Sequence, residues 1–249
     1  MMRATPLLLV LLAGSAIAQT DRPPTEWIID PTTKCKVANA FPSAAETITW
    51  SGPCKDGYAE GQGVAQWFKA KKPTQKKYEG EMRGGFMNGN GVFTFANGDR
   101  FEGTFKNGSL NGQGKAAWFN KNKYEGEWRD GYPNGTGTYT WADKKTYTGQ
   151  WLNGKQNGDG EFRFPNGDRY VGQMKDGLMD GRGRFTWADG NAYIGEFKND
   201  TPNGQGTVRL YAVAVSHSGI FKDGCLKDGD EIIAIKQSKM SCALKLDGK

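Results

Sequence analysis

Few side chains in this sequence have the types and spacing that catalysis requires. His217 is the single histidine of the chain, so a Ser-His-Asp or Cys-His arrangement would have to be built around it. It stands at a position that an aromatic residue occupies in other copies of a sequence repeat described below. We therefore interpret His217 as a replacement for that aromatic residue. Carboxylates recur at wet-face positions of predicted strands: Glu79, Glu81, Glu102, Glu125, Glu127 and Glu196. Glycosidase acids need a cleft that separates their pKa values, whereas these residues resemble ladder side chains on an open sheet.

We therefore predict no catalytic residue, no cofactor and no metal site. The alternative function is a secreted enzyme that uses such carboxylates on cell-surface glycans. The many G-x-G pairs are not interpreted as phosphate loops, because no helix follows them and they recur with a fixed period.

Cysteines lie near the two ends of the chain, at Cys35, Cys54, Cys225 and Cys242. Three connectivities are possible. The simplest links the first two and the last two, each bond closing a short loop worth about 3 kcal/mol in the chain-entropy model. A zinc site is the competing interpretation, but the pairs lack C-x-x-C spacing and the chain has one histidine.

Positive charge is concentrated in the connectors between predicted strands. The chain carries a net charge of +6 and a pI near 9.0, a modest bias that predicts no nucleic-acid partner. The connector lysines are Lys69, Lys71, Lys72, Lys76, Lys77, Lys121, Lys123, Lys144 and Lys145. Stacking of equivalent connectors would form a basic ridge that attracts an anionic lipid or polysaccharide surface. Solvated loop lysines are the alternative.

Most of these residues lie within a sequence repeat. Ring residues stand 23 residues apart through five intervals, at Tyr78, Phe101, Tyr124, Tyr147, Tyr170 and Tyr193. Each opens the same phrase: ring, x, Gly, x, bulky apolar, x, x, Gly or Asp, then x, x, x, Gly, x, Gly. An earlier copy begins at Trp50, and a weaker final one begins at His217. A fixed period of this length predicts one small unit stacked many times, with function on the repeated surface.

Alternation of ring and polar residues predicts that each unit is a β-hairpin. In Tyr139-Thr140-Trp141 the period is two, which is typical of a strand with one buried and one wet face. Single hairpins are marginal in water, so the repeats must pair into one elongated, twisted, open antiparallel sheet. We assign most rings to the core, and four at strand ends are predicted to stay partly open: Trp67, Phe68, Trp118 and Phe119.

The phrase resembles the MORN (membrane occupation and recognition nexus) repeat, Y-x-G-x-W-x-x-G-x-x-x-G-x-G. Residues 147–160 fit every fixed position, and Met82 and Met174 replace the tryptophan in two copies. The resemblance covers about residues 48–230 and implies an all-β, solenoid-like array of seven to eight hairpins. In this family, enzymatic members carry their chemistry in an appended domain. The resemblance therefore implies a binding or scaffolding role.

The two ends of the chain predict where the protein is located. Residues 1–18 have the layout of a secretory signal peptide, with one early arginine, an apolar run and small residues before a cleavage site after Ala18. The apolar run is about half the length of a transmembrane anchor. We predict cap segments at 19–47 and 231–249, and a secreted or periplasmic protein. In a eukaryotic secretory pathway, three acceptor sequons would begin at Asn107, Asn134 and Asn199.

The predicted function is a non-catalytic module, exported from the cytoplasm, that docks a protein partner or an anionic envelope lipid or polymer. The sequence names neither the partner nor the oligomeric state.

Overall fold

The computed structural model describes residues 26–235 and Cys242. The predicted signal peptide and its cleavage site lie outside the described residues. The strands are β1 (Trp27–Ile29), β2 (Lys36–Ala38), β3 (Glu46–Trp50), β4 (Cys54–Lys55), β5 (Tyr58–Ala59), β6 (Gly61–Lys69), β7 (Lys72–Arg83), β8 (Phe86–Thr94), β9 (Arg100–Lys106), β10 (Ser109–Ala117), β11 (Lys123–Arg129), β12 (Tyr132–Thr140), β13 (Thr146–Leu152), β14 (Lys155–Arg163), β15 (Arg169–Lys175), β16 (Leu178–Thr186), β17 (Ala192–Lys198), β18 (Thr201–Leu210), β19 (Val215–Phe221), β20 (Cys225–Asp228) and β21 (Glu231–Ala234).

The predicted antiparallel sheet of stacked hairpins is confirmed. Fifteen strands form one open sheet in the order β3, β6 and then β7 to β19 in sequence. A four-stranded sheet has the order β1-β2-β5-β4, and β20 pairs with β21. Within residues 26–235 the helical structure is a 3₁₀ turn at Tyr211–Val213.

Two compact units make up the chain. The first unit contains the residues up to 114 together with 128–132, and the second contains 115–127 and the residues from 133 onward. The four-stranded sheet, with β3 and β6–β9, belongs to the first unit. Strands β13–β21 belong to the second.

One hairpin of the second unit shows how a repeat folds. Strands β13 and β14 pair from Thr146 opposite Arg163 to Gly149 opposite Gly160. The register then shifts at a β-bulge, where Gln150 of β13 faces the three β14 residues 157–159. The hairpin closes at Asn153, whose φ of 48° is the left-handed conformation that asparagine tolerates in tight turns.

The core is built from rings lying over glycines on one face of the sheet, which we call the ring face; the opposite face is the wet face. Tyr147 is fully buried. A Cβ added at Gly149 would lie 2.5 Å from the Cα of Gly160 on the next strand, so the two backbones approach too closely for any side chain. The assignment of the tyrosine rings to the core is correct.

Two of the rings predicted to be partly open behave differently from each other. Trp67 is 2% exposed, so that prediction was wrong, because the ring packs edge-on against Phe93 at 5.9 Å. Phe119 is 79% exposed.

Candidate binding surface

The wet-face carboxylates have structural contacts. Glu127 accepts hydrogen bonds from the backbone N–H of Thr136 (2.8 Å) and from its hydroxyl (2.7 Å). Gln150 and Gln173 occupy the same position in later repeats and accept from the next strand's backbone in the same way. The alternation of residues gives no sign of these hydrogen bonds. The bulge that directs the side chain is marked by the first glycine of each G-x-G pair, as at Gly158 (φ 90°) and Gly181 (φ 105°).

Other carboxylates of the set form cross-strand or same-strand ion pairs on the surface. The pairs are Glu79 with Lys77 (2.9 Å), Glu81 with Arg83 (3.3 Å), Glu102 with Arg100 (2.6 Å) and Glu125 with Lys115 (2.8 Å). Within the described part of the chain, no group of three His, Cys, Asp or Glu side chains is placed to hold a metal ion.

His217 lies on β19, directly opposite Val208 of β18. His217 occupies the position at which an aromatic residue opens the other repeats. Its Nδ1 is 2.9 Å from a carboxylate oxygen of Asp228. Asp228 is the residue that departs from the repeat phrase. The contact therefore joins β19 to the β20–β21 hairpin.

The structure contains two disulfides, Cys35–Cys54 and Cys225–Cys242, with Cα–Cα distances of 5.8 Å and 5.3 Å. These are the pairs that the simplest connectivity predicted. Each closes a short loop, over 19 and 17 residues.

In the first unit, three of the predicted lysines form an exposed hairpin end that we call the lysine tip: Lys69, Lys71 and Lys72. Lys69 pairs with Lys72 across the β6–β7 turn. Ala70 and Lys71 both have left-handed backbones, with φ of 49° and 63°, which closes the hairpin in two residues. The tip therefore presents three ammonium groups at a two-residue turn. Lys77, farther along β7, is half-buried and bonds Glu79.

Lys76 is not a surface lysine, and its assignment to the anionic-surface site was wrong. It is 4% exposed, and its Nζ contacts Glu46 (3.0 Å), the carbonyl of Phe41 (2.6 Å) and Asn39 (3.2 Å). Burial lowers the pKa of this ammonium, and Glu46 opposes that effect. Lys76 thus anchors the segment before β3 to the sheet.

In the second unit, Lys121, Lys123 and Lys144 are exposed. Lys145 is half-buried, with its Nζ 4.1 Å from the centre of the Trp141 ring, and burial lowers its pKa. A cation above a ring face is a stabilising contact, so this lysine is partly engaged within the chain.

Neighbouring connectors of the second unit are hydrogen-bonded to each other. Asn122 accepts from the backbone N–H of Ala142 at 2.9 Å, and Asp168 accepts from that of Ala188 at 2.9 Å. Equivalent connectors therefore stack along one edge within this unit, as a ridge requires.

An open concavity of about 690 Å³ crosses β6–β9 on the wet face of the first unit. Its lining includes four glycines, at positions 63, 80, 91 and 103, with Glu79 and Glu102 beside them. Both carboxylates are ion-paired, as described above, and the other polar side chains of the lining are Gln62 and Asn90.

The sequons differ in accessibility. Asn107 and Asn199 lie in exposed turns. Asn134 is 6% exposed and its Nδ2 donates to Asn153 at 3.3 Å.

No helix among the described residues has the length and apolar character needed to span a bilayer.

Comparison with known proteins supports the repeat assignment. The MORN repeat matches residues 78–100, 101–123, 124–146, 147–169, 170–192 and 193–209. No curated protein matches the chain. One similar solved structure is the SAS-4 (dCPAP) TCP domain in complex with a proline-rich motif of Ana2 (dSTIL) of Drosophila melanogaster. It has 18% identity and a TM-score of 0.33, and the match covers 54% of this chain and 85% of that one. A likeness this weak carries no argument about function.

Proposed function

Because the chain belongs to the MORN repeat family, we propose that it is an exported, non-catalytic binding or scaffolding module that attaches to an anionic envelope lipid or polymer and docks a protein along its repeats. Repeat arrays of this kind offer extended surfaces rather than single pockets. The contacts of the wet-face carboxylates give no support to the glycan-cleaving alternative.

The lysine tip is the observation that carries the attachment to an anionic surface. Three exposed lysines at one two-residue turn hold their charges close together, so their fields add. Each lysine near an anionic membrane is worth about 1 kcal/mol, so the tip contributes about 3 kcal/mol when all three engage. The exposed connector lysines of the second unit, Lys121, Lys123 and Lys144, are a second set available for the same purpose.

Export is proposed on two grounds. Two disulfides are typical of proteins that fold in an oxidising compartment. The first 18 residues have the order of charge, apolar run and small residues that a signal peptidase recognises.

Vesicle co-sedimentation tests the attachment. The mature chain should bind vesicles that contain phosphatidylserine and leave neutral phosphatidylcholine vesicles unbound. Binding should weaken as salt shortens the Debye length from about 10 Å at 0.1 M to about 3 Å at 1 M. Replacing Lys69, Lys71 and Lys72 with Gln should lower the affinity roughly a hundredfold, from about 1 kcal/mol per lysine.

A matched triple variant provides the control. Lys106, Lys175 and Lys198 are exposed and lie outside the connectors, so their replacement by Gln removes the same charge from other places. It should leave most of the binding intact. Lys76 is kept in both variants because its loss would disturb the fold. Equal binding to both kinds of vesicle, or equal loss in both variants, would contradict a role for the tip.

A further inference from the structure

Arginine has a different distribution from lysine in this protein. Five arginines lie between residues 163 and 209, all on the wet face of β14–β18 in the second unit. We call this group the arginine face: Arg163, Arg169, Arg182, Arg184 and Arg209. Each alternates with ring-face residues along its strand, as Arg182 and Arg184 do with Gly183 and Phe185.

The strand register places two of these arginines directly opposite each other and the other three on nearby strands. Arg163 of β14 lies directly opposite Arg169 of β15. Arg184 of β16 lies between Val171 of β15 and Ile194 of β17. Directly opposed side chains on adjacent strands are in contact range, so Arg163 lies beside Arg169, and Arg184 lies between two aliphatic side chains.

The face already holds one carboxylate of the protein itself. Nε of Arg169 and Nε of Arg163 lie 2.6 Å and 2.7 Å from the same oxygen of Glu161. The hydrogen bond from Arg169, followed by the charges of both arginines, lowers the pKa of Glu161. Two guanidinium groups on this surface can therefore converge on a single carboxylate.

The other three arginines form no ion pair within the described part of the chain, although Glu196 of β17 lies directly opposite Arg182. Across residues 26–235, no ion pair involves Arg182, Arg184 or Arg209, and all three are exposed. Arg184 makes a weak contact, with its Nε 3.3 Å from the Thr186 hydroxyl. These guanidinium groups are free to bind an external acceptor.

The surroundings of these arginines indicate which acceptor fits. Val171 is 39% exposed and Ile220 is 73% exposed on the same face. Between residues 159 and 209 the wet face carries these five arginines and two lysines, Lys175 and Lys198, which lie at the turn ends of β15 and β17. Arg184 is therefore surrounded by aliphatic side chains rather than by lysines. Arginine beside exposed aliphatic groups is typical of protein interfaces, whereas the lysine tip consists of strongly hydrated ammonium groups.

We propose that the arginine face docks a protein partner through an extended acidic segment. Alternate residues of such a segment are about 6.8 Å apart, which is the spacing of Arg182 and Arg184 along β16. A Glu-x-Glu pair can therefore place one carboxylate on each arginine, with its methylene groups against Val171 and Ile194. The proposal rests on the proposed role as a binding module, but it is independent of the lysine tip.

A peptide of alternating glutamate and threonine is a direct probe. Fluorescence anisotropy on the full mature chain should show binding of this peptide and none of the matched glutamine–threonine peptide. Arg184→Gln removes one charge-assisted hydrogen-bonded pair with the peptide and should weaken binding about tenfold or more. The Arg182→Gln, Arg184→Gln double variant should weaken it further.

Two controls separate this site from general attraction. The Arg83→Gln, Arg129→Gln double variant removes two exposed arginines from outside the arginine face and should bind the peptide normally. The lysine-tip variant should also bind the peptide normally while failing on vesicles, so the two proposals can fail separately. No binding of the acidic peptide would overturn the proposal. So would equal loss in both double variants, or arginine-dependent binding of polyphosphate as tight as that of the peptide.

Discussion

The repeat that opens at Phe101 and the repeat that opens at Tyr147 begin with rings that differ by one oxygen atom, the tyrosine hydroxyl. The hydroxyl of Tyr147 donates to the backbone carbonyl of Gln150 at 3.1 Å, and the residue is fully buried. Phe101 has no hydroxyl and is half-buried. The same bond to the residue three positions later recurs in the other tyrosine repeats, from Tyr78 to Glu81, Tyr124 to Glu127, Tyr170 to Gln173 and Tyr193 to Glu196.

The glycines beneath the two rings differ in the same way. A Cβ at Gly160 would meet the ring and hydroxyl of Tyr147, with ring carbons at 2.5 Å. A Cβ at Gly114, the equivalent position of the Phe101 repeat, would meet Trp128 at 3.0 Å as its nearest atom. The hydroxyl bond therefore accompanies a tighter contact between ring and backbone, and the tyrosine of the phrase contributes hydrogen bonding as well as apolar surface.

The largest expected effect comes from filling that space. Gly160→Ala should lower the free energy of unfolding by about 3 kcal/mol, because the ring of Tyr147 cannot move without losing its hydrogen bond. Gly114→Ala should lower it by about 1 kcal/mol or less, since its neighbour has to yield only a few tenths of an ångström. Urea unfolding of both variants measures the difference. Equal losses of stability in the two variants would show that the tyrosine hydroxyl does not determine how closely the ring packs against the glycine backbone.

Raising the pH above 10 should lower the free energy of unfolding, because the buried tyrosine hydroxyls then have to ionise. Burial, then the charge of Glu196, raises the pKa of Tyr193 to about 12 from an ordinary 10.0. The neutral ring therefore stabilises the fold fully below pH 10, and this stabilisation is lost as pH rises from 10 towards 12. The slope is about 1.4 kcal/mol per pH unit for each such tyrosine.

The Tyr193→Phe variant tests the source of that slope. Its free energy of unfolding should fall less steeply with pH than that of the unmodified chain over the same interval. Parallel pH profiles would assign the alkaline loss to other groups.

The smallest expected effect comes from removing or adding the ring hydroxyl alone. Tyr147→Phe should lower the free energy of unfolding by about 1 kcal/mol, because the Gln150 carbonyl loses its partner. Phe101→Tyr should raise it by about 0.5 kcal/mol if the new hydroxyl reaches the carbonyl of Thr104. Tyr211→Phe is the control, since that ring is 57% exposed. A gain at residue 101 as large as the loss at 147 would show that burial of the ring adds nothing to the bond.

The period of 23 residues and the alternation within it were enough to predict the hairpins, their antiparallel pairing and the buried rings. The prediction for Lys76 failed because the stretch before Tyr78 was interpreted as a connector, whereas β7 begins at Lys72. Position 76 then lies two residues before a ring and faces the same side as that ring. The alternation that identified Tyr78 would have placed Lys76 inside.

The arginine face was also present in the sequence as alternation with the rings, but a search for blocks of like charge does not find it. Its members come from four strands and are separated by as many as 25 residues, from Arg184 to Arg209. The bonds from Gln150 and Gln173 to the next strand depend on a bulge. The first glycine of each G-x-G pair stands in that bulge, with φ of 90° at Gly158 and 105° at Gly181, so the repeat contains a signal for it that alternation alone does not reveal.

Glycine pairing across the strands has a consequence for how such a chain changes in length. Gly149 lies opposite Gly160, and Gly160 lies opposite Gly172, so successive hairpin junctions present the same partners. Inserting one residue into a strand would turn every ring beyond it to the other face. Duplicating or deleting a complete copy of 23 residues leaves each remaining junction as it was. The gene can therefore grow or shrink by whole repeats at little structural penalty, while length changes inside a strand disrupt the fold.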